Sequence, residues 1–202
     1  VAVTNKGTIS DIIVNDVNLK GTAVVAGVAG DNSGAIENVT VCNVVLEGKH
    51  TGGVAGTNGG SIENASVYNA CLEGLYAGGV SGISNGKIEK TSVFNTDIEG
   101  MYIGGIVGVS QDAIINHSTS VAVLDTRSYE PEQGKKPCMG GIAGFAYDIS
   151  VRDCYAICDT AYYLYDSNKQ PVIGGLVGCN EEIATIEIKS SVAPWGDVFP
   201  QD

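Results

Sequence analysis

The stretch TGGVAGTNGG, residues 51–60, decides the fold. Taken alone, its G-x-x-G core reads either as a loop that cradles a phosphate or as a structural corner. Recurrence separates the two readings. GGVAG at Gly52 returns as GGVSG at Gly78, GGIVG at Gly104, GGIAG at Gly140 and GGLVG at Gly174, after a degenerate AGVAG at Ala26. Counted from the second residue of each pair, the steps are 26, 26, 26, 36 and 34 residues. A dinucleotide fingerprint needs one strand–loop–helix unit with an acid further on. Here the glycines return in every unit and no helical periodicity follows them, so a corner is expected.

Working outward, the rest of each unit repeats as well. GAIENVTVCNVVLEG (34–48), GSIENASVYNACLEG (60–74) and GKIEKTSVFNTDIEG (86–100) align without a gap. Ile36, Ile62, Ile88 and Ile114 fall in one slot; Val41, Val67 and Val93 in another; Leu46, Leu72, Ile98 and Leu124 in a third. A unit of this size, with β-branched residues in short alternating runs, cannot bury its own apolar face, and stacking neighbours supplies the core. The chain is therefore expected to be all-β: a parallel, right-handed β-solenoid of about seven coils with a 26-residue repeat. Three short strands per coil are expected, around Gly53–Gly56, Ile62–Val67 and Ala70–Glu73. At the strand spacing of ~4.8 Å the rod would be about 30 Å long. Asn38, Asn64 and Asn116 are expected to stack in one turn column, and Asn43, Asn69 and Asn95 in another, bonded amide to amide. Gly7, Gly34, Gly60 and Gly86 share a slot where a positive φ would explain glycine. One domain spans 1–202, and its first residues enter a repeat midway, which is expected of a segment of a longer array.

Composition narrows the partners. The net charge is −12, with 11 Lys and Arg against 23 Asp and Glu. A phosphate backbone or an anionic membrane surface would be repelled, so no nucleic acid and no membrane insertion are expected. Six cysteines, at 42, 71, 138, 154, 158 and 179, include no Cys-x-x-Cys. They read mostly as small buried apolar residues, with one or more disulfides as the alternative. The sequons at Asn38, Asn64 and Asn116 share one repeat slot, which the turn column explains without glycosylation. The acidic columns Glu37, Glu63, Glu89 and Glu47, Glu73, Glu99, Asp125 read as a solvated face that discourages sideways association. No metal site and no cofactor is assigned.

Segments such as GGVAGTNGGSIENASVYNACLEG (52–74) resemble the GLUG repeat, a glycine-rich motif of bacterial secreted and surface proteins. Such repeats lie beside the catalytic part of IgA1-specific metalloendopeptidases and in adhesin-like proteins. The resemblance covers nearly the whole chain and implies an extracellular or cell-surface, non-catalytic region that joins neighbouring domains of the same chain. The zinc motif H-E-x-x-H of those peptidases is absent around His50 and His117.

Chemistry is expected where the repeat breaks. Two successive units carry extra residues at the same corner, in LDTRSYEPEQGKKPCMGG (124–141) and CDTAYYLYDSNKQPVIGG (158–175). Each reads as a projecting loop or hairpin, near 125–137 and 159–171, on a rigid scaffold that favours function in such loops. They bring forward Arg127, Tyr129, Tyr162, Tyr163 and Tyr165 as candidate binding residues. Tyrosine supplies apolar area and a hydroxyl to a host protein or glycan. It also serves as packing between loops, and that reading stays open. The tail near 193–202, with Trp195 and Phe199, is expected to cap the last coil. No catalytic residue is assigned. The alternative class is a carbohydrate-active β-helix, a polysaccharide lyase or glycosidase.

Overall fold

From Ile62 to Leu72 in strand Ser61–Gly78 the buried residues are Ile62, Ala65, Val67, Ala70 and Leu72. A plain strand would bury every second residue; here two of the steps are three. The extra residues are Asn64 and Asn69, both at φ 53° in the left-handed region. Each asparagine turns the strand through a corner and resets the alternation. Expected strands two and three thus run on as one bent strand, and that strand continues to the glycine pair.

The computed structural model describes residues 2–127, 129, 135–161, 170–181 and 185–193. Its chain winds as a parallel β-solenoid. One sheet stacks seven parallel strands in chain order: Ala2–Asn5, Ala29–Asn32, Ala55–Asn58, Ser81–Ser84, Val107–Ser110, Ala143–Ala146 and Val177–Asn180. A fourteen-stranded sheet wraps the remaining faces. The last coil is only partly built among the described residues, so complete turns are fewer than the seven expected. The glycine pair is a corner before the first-sheet strand, which begins two residues later than the sequence implied.

Most slots stack as the repeat predicts. Leu46 pairs in register with Leu72, Leu72 with Ile98, and Ile98 with Leu124. Val41, Val67 and Val93 align likewise. One column slips. Ile88 pairs with Ile115, not Ile114; Ile115 is 0% exposed and Ile114 46%. The turn before it holds one extra residue, and Asp112 takes φ 102° there. A one-residue slip turns every side chain to the other face. The left-handed corner of that coil therefore falls on His117 (φ 49°), and Asn116 leaves the expected asparagine column.

Asparagine columns fasten the corners. Asn64 donates to Asn38 Oδ1 at 2.7 Å and Asn95 to Asn69 Oδ1 at 2.7 Å. A third column, absent from the sequence reading, is buried: Asn5 donates to Asn32 and Asn32 to Asn58, each at 2.8 Å. Gly34, Gly60 and Gly86 have no positive φ; a Cβ at each would strike the backbone of the previous coil, so close approach selects glycine there. Asn64→Ala is expected to cost about 1–2 kcal/mol, because alanine resists the left-handed region and the column bond is lost. Asn64→Gly should cost about half as much, since it regains the backbone conformation. Urea midpoints measure both; equal losses would mean that the hydrogen bond alone matters.

Candidate functional site

Around each glycine pair the backbone folds back on itself. A Cβ on Gly82 would lie 2.8 Å from Thr51 N and 2.9 Å from Tyr76 O, so the strand after the corner runs against the strand before it. Corner amides are spent on the next coil. Val54 N donates to Val80 O at 3.0 Å, Val80 N to Ile106 O at 2.9 Å and Ile106 N to Ile142 O at 3.0 Å. Those are the donors a phosphate cradle would require, and the corner reading stands.

Two columns of outward side chains flank this seam. His50, Tyr76 and Tyr102 are in register before the corner; Ile83, Val109 and Phe145 are in register after it. Their neighbours Thr51, Ala77 and Ile103 point inward and are fully buried, so alternation sets the rings on the outer surface. The columns meet with an offset of one coil. Tyr102 contacts Phe145 of the next coil edge-on, with centroids 5.5 Å apart. One rung further, Cys138 follows Tyr102 and Cys179 follows Phe145, and these two are joined as a disulfide. The disulfide thus occupies the seam position that the aromatic pair occupies one coil earlier.

The result is a groove of about 510 Å³ along the seam. Its rings form one connected series. His50 lies 5.2 Å from Tyr76, Tyr76 stacks on Tyr102 at 5.6 Å, and Phe145 meets Tyr147 edge-on at 5.2 Å. Tyr147 is 46% exposed. Lys49, Gln111, Lys135 and Glu181 supply the polar rim. Burial lowers the His50 pKa, and Lys49 lowers it further while Asp31 opposes them; Nδ1 of this ring is buried without a hydrogen-bond partner among the described residues. The folded state therefore binds fewer protons here than the unfolded chain, and stability rises with pH through this window. Stability is expected to fall as the pH drops below about 6.5, the ordinary histidine value. His50→Gln should flatten the difference between urea midpoints taken at about pH 7.5 and 5.5, a range that brackets that value. An unchanged difference would exclude His50 as its source.

The expected site residues are placed elsewhere. Tyr129 is half-buried in a second cavity, of about 390 Å³, with Glu47, Glu73 and Leu75. Burial raises its phenol pKa, and Glu73 and Tyr76 add to this. Arg127 is engaged with Asp125, donating from Nη2 to Oδ2 at 2.6 Å and from Nε to both oxygens at 3.1 Å. Burial opposes ionisation of Asp125, but the hydrogen bonds and charge of Arg127 prevail and hold its pKa low. That pair caps the acidic column of Glu47, Glu73 and Glu99. Tyr162, Tyr163 and Tyr165 lie outside the described residues, as do Trp195 and Phe199. Of the first insertion, Lys135 reaches the groove. The signal for the groove itself was Tyr76 and Tyr102, one repeat apart and two residues before the glycine pair.

Cysteine chemistry divides the same way. Cys42, Cys154 and Cys158 are buried thiols and Cys71 is an exposed one. Burial pushes Cys154 and Cys158 up to about 11, which keeps them protonated and inert. Among the described residues no three His, Cys, Asp or Glu side chains are grouped to hold a metal ion. Compared with protein-family models, with characterised proteins and with solved structures, the chain matches none.

Proposed function

We propose that this chain is a non-catalytic binding module, an adhesin-type scaffold of an extracellular or bacterial cell-surface protein, that takes its ligand in the aromatic groove. The carrying observation is the unbroken series of ring contacts His50, Tyr76, Tyr102, Phe145 and Tyr147 along one groove on the outside of the rod. Exposed aromatic surface on a rigid frame is what recognition uses. The GLUG-like repeats support the surface location, including the accessory region of an IgA-protease-like metallopeptidase, and the Cys138–Cys179 disulfide is in keeping with an oxidising compartment. Lys135, from the first insertion, lines the groove and adds a polar contact for a host protein or glycan. Among the described residues lining the groove, Glu181 is the single carboxylate. Glycoside hydrolysis ordinarily employs two, which favours binding over the glycosidase alternative.

Arrays of immobilised glycans and host surface proteins, probed with the chain and with a Tyr76→Ala/Tyr102→Ala variant, test this reading. A partner lost in the variant, with the β-sheet circular dichroism retained, supports it. Release of sugar fragments from any polysaccharide on the array would overturn it.

A further inference from the structure

The groove has a direction. His50 and Phe145 are separated by three coil steps, about 14 Å at the strand spacing, so the lining runs along the rod axis and across the strands. It suits an extended ligand. We infer that the groove accepts a neutral oligosaccharide laid along the solenoid axis, with sugar rings against the aromatic side chains of Tyr102 and Tyr147 and hydroxyls on the polar rim; this rests on the binding-module reading above.

Three observations select that ligand. First, the backbone groups beside the groove are spent in parallel pairing between coils, as in Tyr76 with Tyr102 and Val109 with Phe145. A peptide lying along the axis crosses the strands and finds no free edge to extend, so its own amides and carbonyls would be left for side chains to satisfy. A sugar ring brings no such backbone. Its apolar face packs on an aromatic ring and its hydroxyls need only scattered polar partners. Second, those partners are present along the groove: Lys49 and Lys135 donate, Glu181 accepts and Gln111 can do either. Third, charge disfavours an acidic polymer. Two lysines against one glutamate leave the groove itself only weakly positive, and the chain as a whole carries −12, which repels polyanions at long range. The disulfide Cys138–Cys179 sits at the next rung and closes the aromatic series at that end, so the ring column has a finite length.

Titration calorimetry of the intact chain tests this, with the neutral sugars cellohexaose, xylohexaose and mannohexaose, hexagalacturonate as the acidic control, and the disaccharide of any sugar that binds. At least one neutral hexasaccharide should bind. Tyr102→Ala and, independently, the exposed Tyr147→Ala should each weaken it by about tenfold or more, and Tyr102→Phe should change it little. The disaccharide should bind about tenfold more weakly than the hexasaccharide, because it covers fewer rings. Melting temperatures of the variants separate lost contact from lost fold. Binding of hexagalacturonate alone, or neutral binding indifferent to both alanine variants, overturns the inference. Groove-dependent capture of a protein with no glycan bound also overturns it, yet keeps the binding-module reading. Turnover of any hexasaccharide overturns the module reading itself.

Discussion

Gly104→Ala is expected to destabilise the protein by about 4 kcal/mol or more, at the severe end of single substitutions. The new Cβ would fall well inside 3.0 Å of Val107 O, 2.7 Å from Gly144 N and 2.8 Å from Ala143 Cα. All three are backbone atoms, so no rotamer change relieves the clash. The corner would have to open, and opening it moves the strand Val107–Ser110 off its neighbours on both sides. Gly104 lies in the middle of the stack, and coil stability depends on nearest-neighbour contacts. Damage there uncouples the two halves of the rod. Gly7→Ala is the control: nothing lies within 4 Å of its Cβ, and its effect should stay within about 1 kcal/mol. Urea denaturation followed by circular dichroism compares the two. A Gly104 variant as stable as the Gly7 variant would refute the account of the corner as a close-packed fold-back.

That corner shows what the sequence discloses. Recurrence of the glycine pair exposed the solenoid, because side chains one coil apart touch and so share a chemical constraint. Leu46, Leu72, Ile98 and Leu124 are legible for that reason. The Ile114 slot is not. A single added residue before it reverses the faces, and two adjacent isoleucines give the reader no means of choosing between them. The groove was hidden by a different cause. Tyr102 meets Phe145, and Cys138 meets Cys179, across the corner and one coil on. An alignment of repeats compares like slots with like slots, whereas these pairs join unlike slots in successive coils, and only the fold-back brings them together. Among the described residues of the insertions, Lys135 lines the groove and Tyr129 a neighbouring cavity.

Breaking Cys138–Cys179, by reduction or by a Cys138→Ser/Cys179→Ser double variant, should cost about 4 kcal/mol. The bond closes a span of 41 residues, and the loop-closure entropy for that length gives this figure. In a chain of this size it corresponds to a fall of about 8–16 °C in melting temperature. The loss should be local. Cys138 belongs to strand Cys138–Gly140, paired on both sides, and Cys179 to Val177–Asn180, which among the described strands is paired on one side only. Hydrogen exchange should therefore accelerate in Val172–Gly174 and Val177–Asn180 while the central strand Ser61–Gly78 keeps its protection. Of the free thiols, Cys154 and Cys158 offer no ready replacement, since burial holds them protonated and the thiolate is the form that exchanges. Because the bond sits in the same seam as Tyr102 and Phe145, its loss should also loosen that end of the groove, so ligand binding should weaken under reduction before the central coils unfold. Equal melting temperatures with and without reductant would remove the disulfide from this account, and uniform acceleration of exchange along the whole rod would contradict the one-dimensional picture of its stability.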